Sequence, residues 1–92
     1  MQNNLVLASN SINENNFEKA YNLLKDITNK CENWYYLNSI SSMKLGYYKE
    51  ANDSIKKAIE LNPKNEKYNK LLESFNFYRD DYYERSRHYR RR

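Results

Sequence analysis

The stretch from Trp34 to Pro63 constrains the fold more than any other part of the chain. It opens with a run of aromatic residues, is divided by Gly46, and ends where proline disfavours a helical conformation in the residue before it. Glycine adopts the left-handed conformation that closes a helix without steric cost. Ala51 and Ala58 are small enough to let two helix axes approach closely. The stretch therefore predicts two packed helices joined by a tight turn.

The rest of the chain fits the same architecture. The 92 residues include one Gly and one Pro, which is too few turn formers for a β-rich protein. A chain of this length forms one small domain with a modest core. Five helices are predicted, and they cover residues 2–12, 15–29, 32–45, 48–61 and 66–84.

Apolar residues at steps of three and four predict which face of each helix is buried. In the second helix the stripe consists of Phe17, Ala20, Leu24, Ile27 and Cys31. In the third helix one seam consists of Trp34, Leu37, Ser41 and Leu45, and the other consists of Tyr36, Ile40, Met43 and Tyr47. In the fourth helix the inward residues are Tyr48, Ala51, Ile55, Ala58 and Ile59. We expect an ion pair between Asp53 and Lys57 on its outer face.

The first hairpin repeats the pattern of the second. Residues 16–20 align with residues 47–51, and this 31-residue offset is close to the period of tetratricopeptide repeats. The chain resembles that family, whose members bind other proteins and rarely catalyse reactions. The resemblance implies an all-α, TPR-like superhelix of two helical hairpins plus a capping helix. Its parts are repeat one (1–31), repeat two (32–65), a capping helix (66–84) and a basic tail (85–92).

A narrower resemblance rests on residues 34–37, 44–51 and 61–68 and on the aromatic, arginine-rich C-terminus. These segments look like the C-terminal repeat module of small bacterial J-domain (DnaJ-like) co-chaperones. A J-domain acts through a His-Pro-Asp turn, whereas His88 and Pro63 are far apart here. The resemblance therefore implies the arm that engages a protein client or partner, without the part that stimulates the chaperone ATPase.

Inner helices of such arrays line a concave groove. By that analogy the peptide-groove residues are Leu5, Tyr36, Ile40, Met43 and Phe77. An apolar and aromatic surface of this kind suits an extended or helical peptide. The alternative is that these residues pack against the fifth helix or are covered by the tail.

A second hypothesis concerns the C-terminus. Residues 1–78 carry 10 Lys, no Arg and 9 acids, whereas residues 79–92 carry 6 Arg and 3 acids. Arginine contacts phosphates, and neighbouring tyrosines stack on bases, so the tail is a candidate contact for nucleic acid or the ribosome. Its candidate anion-binding residues are Arg85, Arg87, Arg90, Arg91 and Arg92. The alternative is a disordered, solubilising extension.

The sequence does not favour an enzyme. A single glycine excludes a glycine-rich phosphate loop, and His88 has no Cys or His nearby, so we expect no cofactor and no metal. Cys31 cannot form an internal disulfide, and we interpret it as a partly buried small apolar residue. No apolar run approaches the roughly 18 residues of a membrane span, and the N-terminus does not resemble a secretory signal. We therefore expect a cytoplasmic monomer.

Overall fold

The structure, a computed structural model, describes residues 4–75. Its helices are α1 (Asn4–Asn13), α2 (Phe17–Lys25), α3 (Glu32–Leu45), α4 (Tyr48–Leu61) and α5 (66–75). Residues 4–75 contain no strand, so the all-α prediction is confirmed for that range. The C-terminal part of the predicted capping helix and the basic tail lie outside the described residues.

The helices pack in chain order as two hairpins. α1 packs against α2 and α3 against α4, while α3 also contacts α1 and α2. The buried residues form two clusters. The first consists of Ala8, Ala20, Leu24, Trp34 and Leu37. The second consists of Ala51, Ile55, Ala58, Tyr68 and Phe75. Because α3 faces both clusters, it is the central element of the described fold.

The predicted bounds of the third and fourth helices are confirmed, but the second helix is shorter than predicted. It ends at Lys25, where the Asp26 N–H contacts the Leu23 and Leu24 carbonyls and closes the last turn. Ile27 and Cys31 therefore lie in the following loop, not on the helical stripe. Cys31 is exposed at the N-cap of α3, so our interpretation of it as partly buried was wrong.

Local turn chemistry explains where the helices begin and end. Gly46 adopts φ +89° at the C-cap of α3, as its sequence position predicts. Asn15 adopts φ +62°, a conformation that asparagine tolerates better than most residues. The Asn16 side chain then accepts a hydrogen bond from the Lys19 N–H and caps α2. At the start of α5 the Asn65 side chain accepts a hydrogen bond from the Lys67 N–H at 2.9 Å.

The face of α4 that packs inward is only partly as predicted. Ala51, Ile55 and Ala58 are fully buried, which confirms the small-residue contacts. Tyr48 was predicted to face inward and is instead 56% exposed at the first turn of the helix. The predicted ion pair was also wrong. Asp53 pairs with Lys49, not with Lys57, at 3.0 Å.

α3 carries four buried polar residues, of which only Ser41 lies on a predicted apolar seam. Asn38, Ser39, Ser41 and Ser42 are all at most 1% exposed. Serine side chains are small, so neighbouring helices approach α3 on several sides. The Ser39 hydroxyl donates to the Tyr36 carbonyl at 2.6 Å, which is a local way to satisfy a buried hydroxyl.

Candidate functional site

Four of the five predicted groove residues lie on the described helices and are partly buried. Leu5 and Tyr36 pack against the first buried cluster, and Tyr36 and Met43 pack against the second. Tyr36, Ile40 and Met43 follow steps of four and three, which place them on one side of α3. We call these four residues, Leu5, Tyr36, Ile40 and Met43, the Tyr36 surface. Phe77 lies outside the described residues.

One edge of the Tyr36 surface touches α5. The rings of Tyr36 and Tyr68 are 5.1 Å apart between centroids, and the Lys67 ammonium lies 5.2 Å from the Tyr36 ring centroid. Packing against the fifth helix, the alternative drawn from the sequence, therefore accounts for part of the Tyr36 ring. The Tyr36 side chain is otherwise partly exposed.

The Glu32 carboxylate, at the start of α3, forms hydrogen bonds to α5 and to the turn that precedes α5. Glu32 accepts hydrogen bonds from the Tyr68 hydroxyl at 2.8 Å and from the Asn62 side-chain amide at 3.1 Å. Burial is the largest cause, and the hydrogen bond to Glu32 the second, of a rise in the pKa of Tyr68 to about 12. The hydroxyl is therefore a neutral donor at any physiological pH, and the contact fixes Tyr68 next to Tyr36.

A second surface feature, which the sequence did not indicate, lies between α2, α3 and α4. It is an open depression of about 580 Å³. Its lining consists of Lys25, Lys30, Trp34, Tyr35, Asn38, Lys49, Glu50, Asp53, Ser54 and Lys57. We call it the Lys30 depression. Its residues come from three helices and one loop, from Lys25 to Lys57, so they are brought together only by the packing of the helices.

Glu50 organises one wall of the Lys30 depression. Its carboxylate accepts hydrogen bonds from the Tyr21 hydroxyl at 2.8 Å, the Lys25 ammonium at 2.6 Å and the Asn38 amide at 3.0 Å. Burial alone would raise the pKa of Glu50, but the hydrogen bonds from Lys25, Asn38 and Tyr21 together lower it. Glu50 is therefore ionised at neutral pH and ties α2 and α3 to α4.

Lysine side chains lie over aromatic rings at several places. The Lys30 ammonium is 4.8 Å from the centroid of the Trp34 ring, and the Lys25 ammonium is 4.4 Å from that of Tyr21. These distances fall within the range of cation–π attraction. Lys25 is also bound by Glu50, whereas Lys30 makes no ion pair within residues 4–75.

The predicted groove residues on α1 and α3 lie within the described range, whereas the residues of the other predicted site do not. All the arginines of the candidate nucleic-acid site, Arg85 to Arg92, lie outside residues 4–75, as does His88. Within residues 4–75, no group of three or more His, Cys, Asp or Glu side chains is arranged to hold a metal ion. In the same range, no helix has both the length and the apolar character needed to cross a membrane.

No protein-family model matches this chain, and neither the curated proteins nor the solved structures gave a match.

Proposed function

We propose that this protein is a non-catalytic protein-binding module, a TPR-like array acting as the partner- or client-binding arm of a chaperone-related protein in the cytoplasm. Its partner is a peptide with apolar side chains, which it binds at the Tyr36 surface. The proposal rests on the sequence resemblance together with the position of Tyr36, Ile40 and Met43 on one side of the central helix α3.

The partial burial of the Tyr36 surface supports this proposal. Side chains that are already held by packing lose little conformational freedom when a ligand binds, so more of the contact energy becomes affinity. Tyr36 is held by Tyr68, and Met43 packs beside the second buried cluster. Methionine and tyrosine are also side chains that adapt well to apolar ligands.

The contribution of the basic tail to nucleic-acid or ribosome binding remains a prediction, and it has its own test. Binding that depends on phosphate contacts falls steeply as salt rises. Deleting residues 85–92 should therefore abolish RNA binding and its salt dependence. If the full chain binds no RNA at low salt, the prediction fails.

The peptide-binding proposal is tested by screening the full chain against an array of amphipathic peptides, with Tyr36→Ala and Met43→Ala as variants. Tyr48→Ala is the matched control, because Tyr48 is an exposed tyrosine outside the Tyr36 surface. We expect both surface variants to lose the peptides that the unchanged chain selects, and the control to retain them. Far-UV circular dichroism verifies that each variant is folded. Unchanged peptide selection in both folded variants would eliminate the Tyr36 surface as the binding site.

A further inference from the structure

The Lys30 depression lies on the other side of α3 from the Tyr36 surface. Successive residues of an α-helix are rotated by about 100°, so Tyr36 is about 200° and Met43 about 180° around the helix axis from Trp34. Trp34, together with Tyr35 and Asn38, forms the α3 wall of the depression. A ligand bound there would not occupy the Tyr36 surface, so the two can be tested independently.

The lining of the depression has an excess of positive charge. It contains four lysines and two carboxylates, which leaves two positive charges unmatched within it. Within residues 4–75, Lys30 takes part in no ion pair; its ammonium lies over the Trp34 ring. This lysine is therefore able to bind an anionic group at little cost.

The other three lysines of the lining already form ion pairs, and these pairs differ in how easily a ligand could replace the acidic partner. Lys57 pairs with Glu60 at 3.0 Å, and the Glu60 side chain is 70% exposed and outside the lining. Lys49 and Asp53 form a second exposed pair, with side chains 91% and 62% exposed. Exposed pairs of this kind contribute about 0–1 kcal/mol, so a ligand carboxylate exchanges readily with Glu60. Lys25, which is fixed by Glu50 at 2.6 Å, is the least available of the four.

The same lining has acceptors that need hydrogen-bond donors. The side-chain amide of Asn38 donates to Glu50 and to Ser54, but its carbonyl oxygen accepts no hydrogen bond from the described residues. Asn38 is 1% exposed, and a buried acceptor without a donor is unfavourable. This oxygen is closed to solvent, so it is out of reach of a ligand bound in the depression. The Asp53 carboxylate is more open and accepts directly.

We infer that the Lys30 depression binds an acidic peptide segment of a partner protein. Acidic side chains of the peptide pair with Lys30 and Lys57, and its backbone N–H groups donate to the Asp53 carboxylate. A polynucleotide fits less well. Its sugar–phosphate backbone carries no N–H donors for the Asp53 carboxylate.

The experiment is a titration of the ¹⁵N-labelled full chain with a short, end-blocked peptide of alternating glutamate and serine, followed by two-dimensional NMR. We expect amide shifts at residues 30–38 and 49–57. The paired variant Lys30→Glu/Lys57→Glu should bind about tenfold more weakly, because two attractive charges become repulsive. The neutral pair Lys30→Gln/Lys57→Gln should show an intermediate loss.

The matched control is Lys56→Glu/Lys64→Glu, which makes the same charge change at two exposed lysines outside the lining. It should keep most of the affinity. An equal loss in the control pair, or shifts confined to residues 79–92, would show binding by net charge or by the arginine tail and would overturn the inference. A single-stranded oligothymidylate that binds tighter than the peptide and shifts the same amides would overturn the assignment to a peptide.

Discussion

Replacement of Trp34 tests the packing that joins the two hairpins. The indole is 3% exposed, and its N–H donates to the Leu24 carbonyl at the end of α2 over 2.8 Å. Its ring also meets the edge of Tyr35, with centroids 5.1 Å apart. Trp34 therefore connects α3 to α2 both by apolar burial and by a specific hydrogen bond. The change to make is Trp34→Ala, with Trp34→Phe beside it.

The two contributions differ in size. A buried tryptophan removes about 200 Å² from water, which corresponds to about 5 kcal/mol as an upper estimate. Large-to-small substitutions at such sites cost about 3–5 kcal/mol of unfolding free energy, and we expect that loss for Trp34→Ala. In Trp34→Phe the Leu24 carbonyl still accepts a hydrogen bond from the Ile27 N–H. That variant should therefore lose only about 1–2 kcal/mol.

The assay is urea unfolding followed by far-UV circular dichroism, since Trp34 is the only tryptophan and its fluorescence is lost in both variants. Tyr48→Ala, at an exposed position, is the control and should change the unfolding free energy by less than about 0.5 kcal/mol. A loss of about 1 kcal/mol or less in Trp34→Ala would refute the packing argument. An equal loss in Trp34→Phe and Trp34→Ala would show that the hydrogen bond, not the buried ring, provides the stability.

Three other predictions concern α3, α4 and α5. Ala58→Glu places a carboxylate at a fully buried contact, so we expect a loss of helical circular dichroism at room temperature, with the exposed Lys56→Glu as a folded control. Gly46→Ala should cost about 1–2 kcal/mol in urea unfolding, because alanine is strained at φ +89° even though no atom lies within 4 Å of its added methyl group; no measurable loss would contradict this. The pKa of Tyr68 is raised from 10.0 to about 12. The stabilisation that the neutral Tyr68 hydroxyl gives to the folded state is therefore complete below pH 10.0 and is lost as the pH rises toward 12. Tyr68→Phe should therefore be less stable than the unchanged protein at neutral pH, and its urea midpoint should fall less as the pH rises above 10. If the midpoints of both proteins fall equally, Tyr68 is not the cause of the alkaline loss of stability.

The candidate binding surfaces differ in how far the sequence indicates them. Tyr36, Ile40 and Met43 stand out because apolar residues at helical spacing are visible without coordinates. The Lys30 depression gives no such signal. Lys30 and Lys57 are ordinary solvent-exposed charges in the sequence, and only the packing of α2 and α4 around α3 brings them to one depression.

The sequence alone determined the all-helical class and the bounds of α3 and α4, because Gly46 and Pro63 act through the local backbone and need no distant partner. The tertiary structure decided what local patterns do not contain. The Trp34 indole N–H donates to the Leu24 carbonyl at the end of α2, a contact between two helices that no local pattern contains. Likewise Ser39 and Ser42 are polar in isolation but are buried because neighbouring helices surround α3. Burial and charge clustering depend on contacts between residues far apart in the chain, and these contacts exist only once the helices have packed.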